Sequence, residues 1–319
     1  MLVRFWGTRG SIPVAPTSAA IQRKLVAALM KAAGRALDTP DKARAFVERE
    51  LDFAVSHTFG GNSSCVEIET GTGEYVLCDM GSGARPFAVQ ALARHGPGRP
   101  QTYHVLISHP HWDHIMGFPF FLPGYIPGNV VRIYGCHPAL EEAFRRQHGP
   151  PSFPVAFGQL GAKIEFVRLM PGQPNDVAGL SVTPKLQQHG GDSYGYRIER
   201  AGRTLVYSTD SEHKLDKPET VETFVAFFRE ADLVIFDAQY SLADAMSVKE
   251  DWGHSSNIVG VERCQRARAK HLCLYHHEPM LEDEQLATLL GETRRFEEIT
   301  RGDHRLEVSV AYDGMELTL

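Results

Sequence analysis

Apolar and polar positions in this chain fall mostly into short strand-like runs separated by Gly-rich turns. "MLVRFWG" (1–7) reads as a strand ending in the turn "TRGSIP". "SCVEIET" (64–70) and "EYVLCDM" (74–80) read as a hairpin joined by "GTG". "TYHVLISH" (102–109) and "VVRIYG" (130–135) are further apolar strands. A second β-rich series follows in "AKIEFVRL" (162–169), "LSVTPKLQQ" (180–188), "SYGYRIER" (193–200) and "RTLVYST" (203–209). "ADLVIFDAQY" (231–240) and "HLCLYHH" (271–277) are apolar runs of the fully buried type. Between them, "SSNIVGVERCQRARAK" spaces Ile258, Val261 and Ala267 for a helix, with Ser255 or Ser256 as its N-cap. After "HHEP" the pattern predicts one helix, "EDEQLATLLGETRRFEEIT", and a final strand. Two β-rich halves with interspersed helices predict two sheets packed face to face with helices outside.

One stretch breaks this rhythm. From about residue 16 to residue 57 there is no strand signal. "TSAAIQRKLVAALMKAAG" places Ile21, Leu25, Ala28, Leu29 and Ala32 on one helical face, with Thr17 or Ser18 as cap and Gly34 at the end. "TPDKARAFVERELDF" starts a second helix with Thr39 as cap and Pro40 in its first turn. This helical insertion reads as an extra layer covering a sheet; a lid or a dimer contact is the functional alternative.

The 319 residues, 43% hydrophobic and 23% charged, are enough for one large domain or two modest ones. A formal net charge of −6 offers no basic footprint for general nucleic-acid binding. The five cysteines, Cys65, Cys78, Cys136, Cys264 and Cys273, are odd in number and form no CxxC, so they read as small buried hydrophobes in a reducing compartment. The N-terminus has no signal-peptide pattern, and no run approaches the length of a membrane span. A soluble cytoplasmic protein is therefore expected. "EEAFRRQHG" and "ARAKH" read as solvated helix faces.

The chemistry concentrates in "ISHPHWDHIMGF" (107–118), which crowds His109, His111, Asp113 and His114 into six positions. A chance HxHxDH in a chain of this length has odds of roughly two in a thousand. Other candidates fall at strand ends: Asp79, His189, Asp210, Asp237 and His276. The first residue past a strand is held firmly yet still reaches solvent, which is what a metal site assembled from distant segments needs. Imidazole and carboxylate without thiolate suit Zn²⁺, and also Mn²⁺ or Fe²⁺. Six or seven ligands exceed one tetrahedral ion, so two divalent ions are expected.

At these residues the chain resembles the metallo-β-lactamase superfamily of dinuclear metallohydrolases. The matching segments are "FWGTRGSIP", "GGNSSC", "LCDMGSG", "SHPHWDH", "HGGDSYGYRIE", "VYSTDSE", "LVIFDAQY", "WGHSS" and "LYHHEP". The likeness is greatest to the branch of ribonuclease Z and cyclic-nucleotide phosphodiesterase-like proteins. It implies an α/β fold, the αββα four-layer sandwich, as a single domain over 1–319 with the helical insertion. By resemblance, His109, His111 and His189 hold one metal, Asp113, His114 and His276 the second, and Asp210 bridges. Asp79 would orient the HxHxDH loop. His277 is a rival for His276, which the branch favours. The branch also makes His254 of "GHSS" the group that contacts the scissile phosphate and protonates the leaving oxygen, with Asp237 orienting it. Independently, His254 lies just before a predicted helix, whose free N–H groups favour an anion.

These features predict a phosphodiesterase acting on small, cyclic-nucleotide-type diesters through a metal-bound hydroxide, with catalytic roles for His254, Asp113 and Asp237. Ribonuclease Z normally carries a long exosite arm for tRNA, and no segment of that character stands out, so no stable nucleic-acid complex is expected. Hydrolysis of a thioester, lactone or other carbonyl substrate is the alternative, and a non-catalytic metal-binding protein the second. No membrane partner is expected, and a homodimer is compatible with the branch. Arg9, Asn62 and the loop carrying Phe118, Phe120, Phe121 and Tyr125 are weaker candidates, read as structural by default.

Overall fold

The computed structural model describes residues 1–214, 218–242, 249 and 251–319. Its strands form two mixed sheets of seven. In the first, β1 (Leu2–Gly7), β2 (Cys65–Glu69), β3 (Tyr75–Cys78), β4 (Thr102–Leu106), β5 (Val130–Gly135) and β6 (Lys163–Arg168) lie in chain order. The second is built of β7 (Asn175–Val177), β8 (Leu180–Gln187), β9 (Ser193–Arg200), β10 (Arg203–Ser208), β11 (Leu233–Asp237), β12 (His271–Tyr275) and β13 (Glu307–Val310). The last strand, β14 (Glu316–Thr318), returns to pair with β1. Strands β3 to β6 run parallel, as do β10 to β13. Parallel neighbours need crossovers, and α4 (Ala84–His95), α7 (Pro218–Phe228), α8 (Asn257–Arg266) and α9 (Asp283–Thr300) lie in four of them.

Alternation along the strands gives each sheet two working faces. Val3, Phe5, Val66, Ile68 and Cys78 meet Val182, Tyr196, Ile198 and Leu205 between the sheets. Outside the first sheet, Phe87, Ala88 and Ala91 of α4 cover Leu77, Tyr103 and Val105. Outside the second, Phe224 and Phe228 of α7, Val261 and Cys264 of α8, and Leu286 of α9 cover Val206, Val234, Phe236 and Leu272. The order is helix, sheet, sheet, helix. Every residue of the central strands β11 and β12 is buried, which is why they read as unbroken apolar runs.

Three expectations need correction. "ARAKH" is not a solvated helix face: α8 ends at Arg266, Ala267 and Ala269 are buried in the turn, and His271 opens β12. Two strands, β13 and β14, follow the final helix where one was expected. The insertion forms α1 (Ser18–Ala32) and α2 (Pro40–Glu50), capped by the Thr17 and Thr39 hydroxyls, plus a short α3 (Phe53–Ser56). However, among the described residues α1 packs mainly on α3 rather than on a sheet. It buries no residue, and Ile21, Leu25 and Leu29 of its apolar face are 49%, 57% and 70% exposed. It packs on α3, which rests on α9, and its Arg23 and Lys24 pair with Glu282 and Asp283. Periodicity identifies an apolar face; it does not say what lies opposite.

One core residue ties stability to pH. His213 is buried among Phe224, Phe228 and Phe236, and neither ring nitrogen has a hydrogen-bond partner among the described residues. Burial, with the nearby Arg263 and Lys185 charges, lowers its pKa to about 3. The unfolded chain, with an ordinary imidazole, therefore binds one proton more than the folded chain between about pH 6.5 and pH 3. Stability should fall as pH drops through that window. Urea unfolding of the metal-free protein beside His213→Leu is expected to show it: from pH 6.5 to pH 5 wild type should lose about 1.5 kcal/mol more than the variant. Equal losses would show that His213 already binds its proton when folded.

Candidate metal centre

The candidate residues are delivered to one rim of the sheets by the C-terminal ends of β3, β4, β8, β10, β11 and β12. Asp79, Asp210 and His276, each close behind its strand, have left-handed backbone with φ of 61°, 51° and 58°. Side chains with a Cβ rarely adopt that conformation. It turns the chain abruptly off the sheet where the side chain enters the centre, Asp210 and His276 in a donor cluster and Asp79 behind His114. His109 follows β4, and His111 precedes the one-turn helix α5 (Trp112–Ile115), which carries Asp113 and His114.

Two donor clusters match the expected ligand sets: the donor atoms of His109, His111 and His189 lie within 4.8 Å of one another, and so do those of Asp113, His114, Asp210 and His276. His254 joins two further groups of the same spacing, one with His189 and Asp210 and one with Asp237 and His276. His189 Nε2 is 3.1 Å from His111 Nδ1. His114 Nε2 and His276 Nε2 stand 3.3 Å apart, each 3.2 Å from Asp113 Oδ2. Asp210 faces both clusters. Its Oδ1 is 3.1 and 3.2 Å from His114 and His276, and its Oδ2 is 3.7 and 3.8 Å from His109 and His189. Ligand atoms around a tetrahedral ion with bonds of about 2.0–2.1 Å stand about 3.3 Å apart. The spacing fits that geometry. His109 Nε2, buried with no hydrogen-bond partner among the described residues, is the orphan a metal would satisfy.

The far ring nitrogens are anchored, which fixes the tautomers. His114 Nδ1–H donates to Asp79 Oδ2 at 2.7 Å, and His189 Nδ1–H to the Gly253 carbonyl at 3.0 Å. Asp79 also accepts from the Ser108 N–H, the Ser108 hydroxyl and the Tyr207 hydroxyl, each at 2.8 Å. It is therefore tied to both the HxHxDH loop and the second sheet. His276 Nδ1–H donates to Gln239 Oε1 at 3.0 Å. In the neutral rings that metal binding requires, each Nε2 would then turn its lone pair toward a cluster.

Electrostatics agree with this arrangement. Burial, with the His114 charge next in weight, holds His109 well below the imidazole range, and burial also lowers His111 and His189. Neutral imidazole is the form that binds metal. Burial would raise the Asp113 carboxyl, but the His114 charge outweighs it and keeps the group ionised. For Asp210, burial is likewise outweighed, chiefly by His276, His114 and His109. His114 stands well above its ordinary range because Asp210, Asp113 and Asp79 overcome its burial. That concentration of carboxylates is suited to divalent charge.

His254 sits beside both clusters. Its ring centroid is 5.2 Å from that of His189 and 5.1 Å from that of His276. Nδ1–H donates to Asp237 Oδ2 at 2.8 Å. Burial alone would lower its pKa, but the Asp237 carboxylate raises it to about 9. Ser256, not Ser255, caps α8 behind it.

The weaker candidates separate. His277 lies outside the clusters, with Nε2 on the Ala311 carbonyl. Arg9 is buried and donates to the carbonyls of Gly60, Glu278 and Leu281, while Asn62 binds Asp313. Both hold turns together. Phe118 and Phe121 are buried, whereas Phe120 is exposed. The sequence reading missed Gln239 and Ser11. Gln239 follows Asp237 by two residues, but nothing local marked either as a partner of the centre.

The model of the beta-lactamase superfamily domain matches residues 74–277, more than half of the chain, and the chain belongs to that superfamily. It is a metal-dependent hydrolase, of a fold that implies divalent metal ions. Ribonuclease Z of Geobacillus kaustophilus (strain HTA426) is 24% identical over 257 residues, 65% of this chain and 80% of that protein. The metallo-beta-lactamase fold protein YhfI from Bacillus subtilis aligns with a TM-score of 0.64 at 19% identity, covering 99% of this chain and 98% of its own. Unliganded yeast PDE1 aligns with a TM-score of 0.61 at 15% identity, covering 81% of this chain and 95% of its own. Among the described residues no helix is long and apolar enough to cross a membrane.

Proposed function

We propose that this chain is a dinuclear phosphodiesterase for small diesters of the cyclic-nucleotide type, with zinc as its favoured metal. The observation that carries the reading is the buried His254–Asp237 pair beside two donor clusters, both faced by Asp210. His109, His111 and His189 would hold one ion, and Asp113, His114 and His276 the other. Two divalent ions, when bound there, lower the pKa of water at the centre and take up charge on an attacked phosphoryl group.

The remaining work belongs to side chains. The hydrogen bond to Asp237 fixes the His254 ring and favours its imidazolium form, which keeps a proton on Nε2. That proton passes to the leaving oxygen as the P–O bond breaks. A thiolate leaves readily without one, so a built acid favours an alkoxide leaving group over a thioester. The net charge of −6 favours a small substrate over an extended RNA. Relatives named ribonuclease Z support a second reading, an RNA phosphodiester.

Zinc-loaded protein is expected to hydrolyse bis(p-nitrophenyl) phosphate and a cyclic nucleotide, to stop when chelated, and to recover when zinc returns. Faster turnover of a thioester or lactone would replace the reading with carbonyl hydrolysis. Cleavage of a tRNA precursor without turnover of the cyclic nucleotide would select the RNA reading. A fully metallated, folded protein that turns over none of these would be a metal-binding protein.

A further inference from the structure

We infer that Gln239 and Ser11 are positioning residues that set the affinity of the second metal position, the one formed by Asp113, His114 and His276. The inference rests on the two-metal reading of the site. Four side chains of the centre have their far nitrogens held in different ways. His114 leans on a carboxylate, His189 on a backbone carbonyl and His109 on the Ser108 hydroxyl at 3.0 Å. His276 is held by a neutral amide that is itself held from elsewhere.

The geometry points through that amide to the N-terminal loop. Gln239 Oε1 accepts from His276 Nδ1–H at 3.0 Å, and its Nε2 donates to the Ser11 hydroxyl at 3.1 Å. The amide orientation follows from chemistry: His276 can offer Nε2 to a metal only if Nδ1 carries the proton, and Nδ1–H needs an oxygen opposite. The Ser11 N–H in turn donates to Asp113 Oδ2 at 2.9 Å. One short path, Asp113 to Ser11 to Gln239 to His276, therefore joins two ligands of the same ion that come from different sheets.

Two backbone features support this path. Ser11 has left-handed backbone, φ 58°, although it is not glycine. Such conformations persist where the surroundings over-determine them. Gly10 lies so close that a Cβ there would stand 2.6 Å from His276 Nδ1 and 3.0 Å from Gln239 Oε1. The loop presses on that hydrogen bond and leaves no room for a side chain. Gly10 is fixed there by its N–H to the His277 carbonyl at 2.9 Å.

Outer partners of ligating histidines typically contribute 10- to 100-fold to metal affinity. The test is zinc titration of metal-free protein against a chromophoric chelator, with stoichiometry from atomic emission. Wild type should bind two ions. Gln239→Leu should keep one tight ion and bind the second about 10- to 100-fold more weakly. Gln239→Glu keeps an acceptor for His276 and can accept from the Ser11 hydroxyl, so it should retain both. Ser11→Ala should weaken only the second ion, by up to about 10-fold. The inference is overturned if Gln239→Leu binds the second ion as tightly as wild type, or loses both ions alike. If Gln239→Leu does not fold, an unchanged second affinity in Ser11→Ala overturns it. Wild type binding fewer than two ions removes the two-metal reading itself, a result distinct from the others.

Discussion

Replacing His254 by alanine should lower kcat on a cyclic nucleotide by about 10²- to 10⁴-fold while leaving the metal content unchanged. The ring belongs to neither donor cluster in the proposed assignment, so its loss should not release an ion. What it removes is a buried acid whose far nitrogen is locked onto Asp237. The loss should depend on the leaving group. A ribose alkoxide needs a proton as it departs, whereas p-nitrophenolate hardly does, so the same variant should lose far less on bis(p-nitrophenyl) phosphate. Asp237→Asn should show a smaller version of the same pattern, because the ring keeps a hydrogen-bond partner but not a charge. A loss equal on both substrates would assign His254 to phosphate binding instead of proton transfer.

Asp210→Asn should reach further, lowering metal content as well as turnover. One carboxylate faces both clusters, with Oδ1 toward His114 and His276 and Oδ2 toward His109 and His189. Asparagine is the informative replacement because it tolerates the left-handed backbone that position 210 requires, φ 51°. The fold should survive, which circular dichroism would check, while the shared charge disappears. Turnover should fall by about 10³-fold or more, corresponding to several kcal/mol of lost charge stabilisation. Bound metal should drop below two ions per chain. A variant that keeps two ions and most of its turnover would exclude Asp210 as the bridge.

Much of this centre was legible before any coordinates because its parts sit at strand ends. Asp79, His109, Asp210 and His276 each close an apolar run, and such runs are the clearest signal a sheet writes into a sequence. HxHxDH added a local motif too dense for chance. What stayed hidden depends on which loops meet. Ser11 and Gln239 are 228 positions apart, and each looks ordinary in its own neighbourhood. Arg9 and Asn62 resembled site residues because a Gly-rich turn and a binding loop have the same composition, and only their carbonyl and carboxylate partners tell the two apart. The exposed face of α1 was misjudged for the same reason: burial is a property of the neighbour as much as of the helix.

Ser11, Asp79, Asp210 and His276 share a backbone conformation that a free chain disfavours by about 1 kcal/mol or more at each position. An ion held by Asp210 and His276 would require this backbone to be in place, so it would act as a ligand of the native state and draw the folding equilibrium toward it. At free metal 100-fold above the dissociation constant, that linkage adds about 2.7 kcal/mol to the native state. The supply of metal then governs more than turnover. Stripping the metal should make the chain easier to unfold and quicker to be cut by proteases.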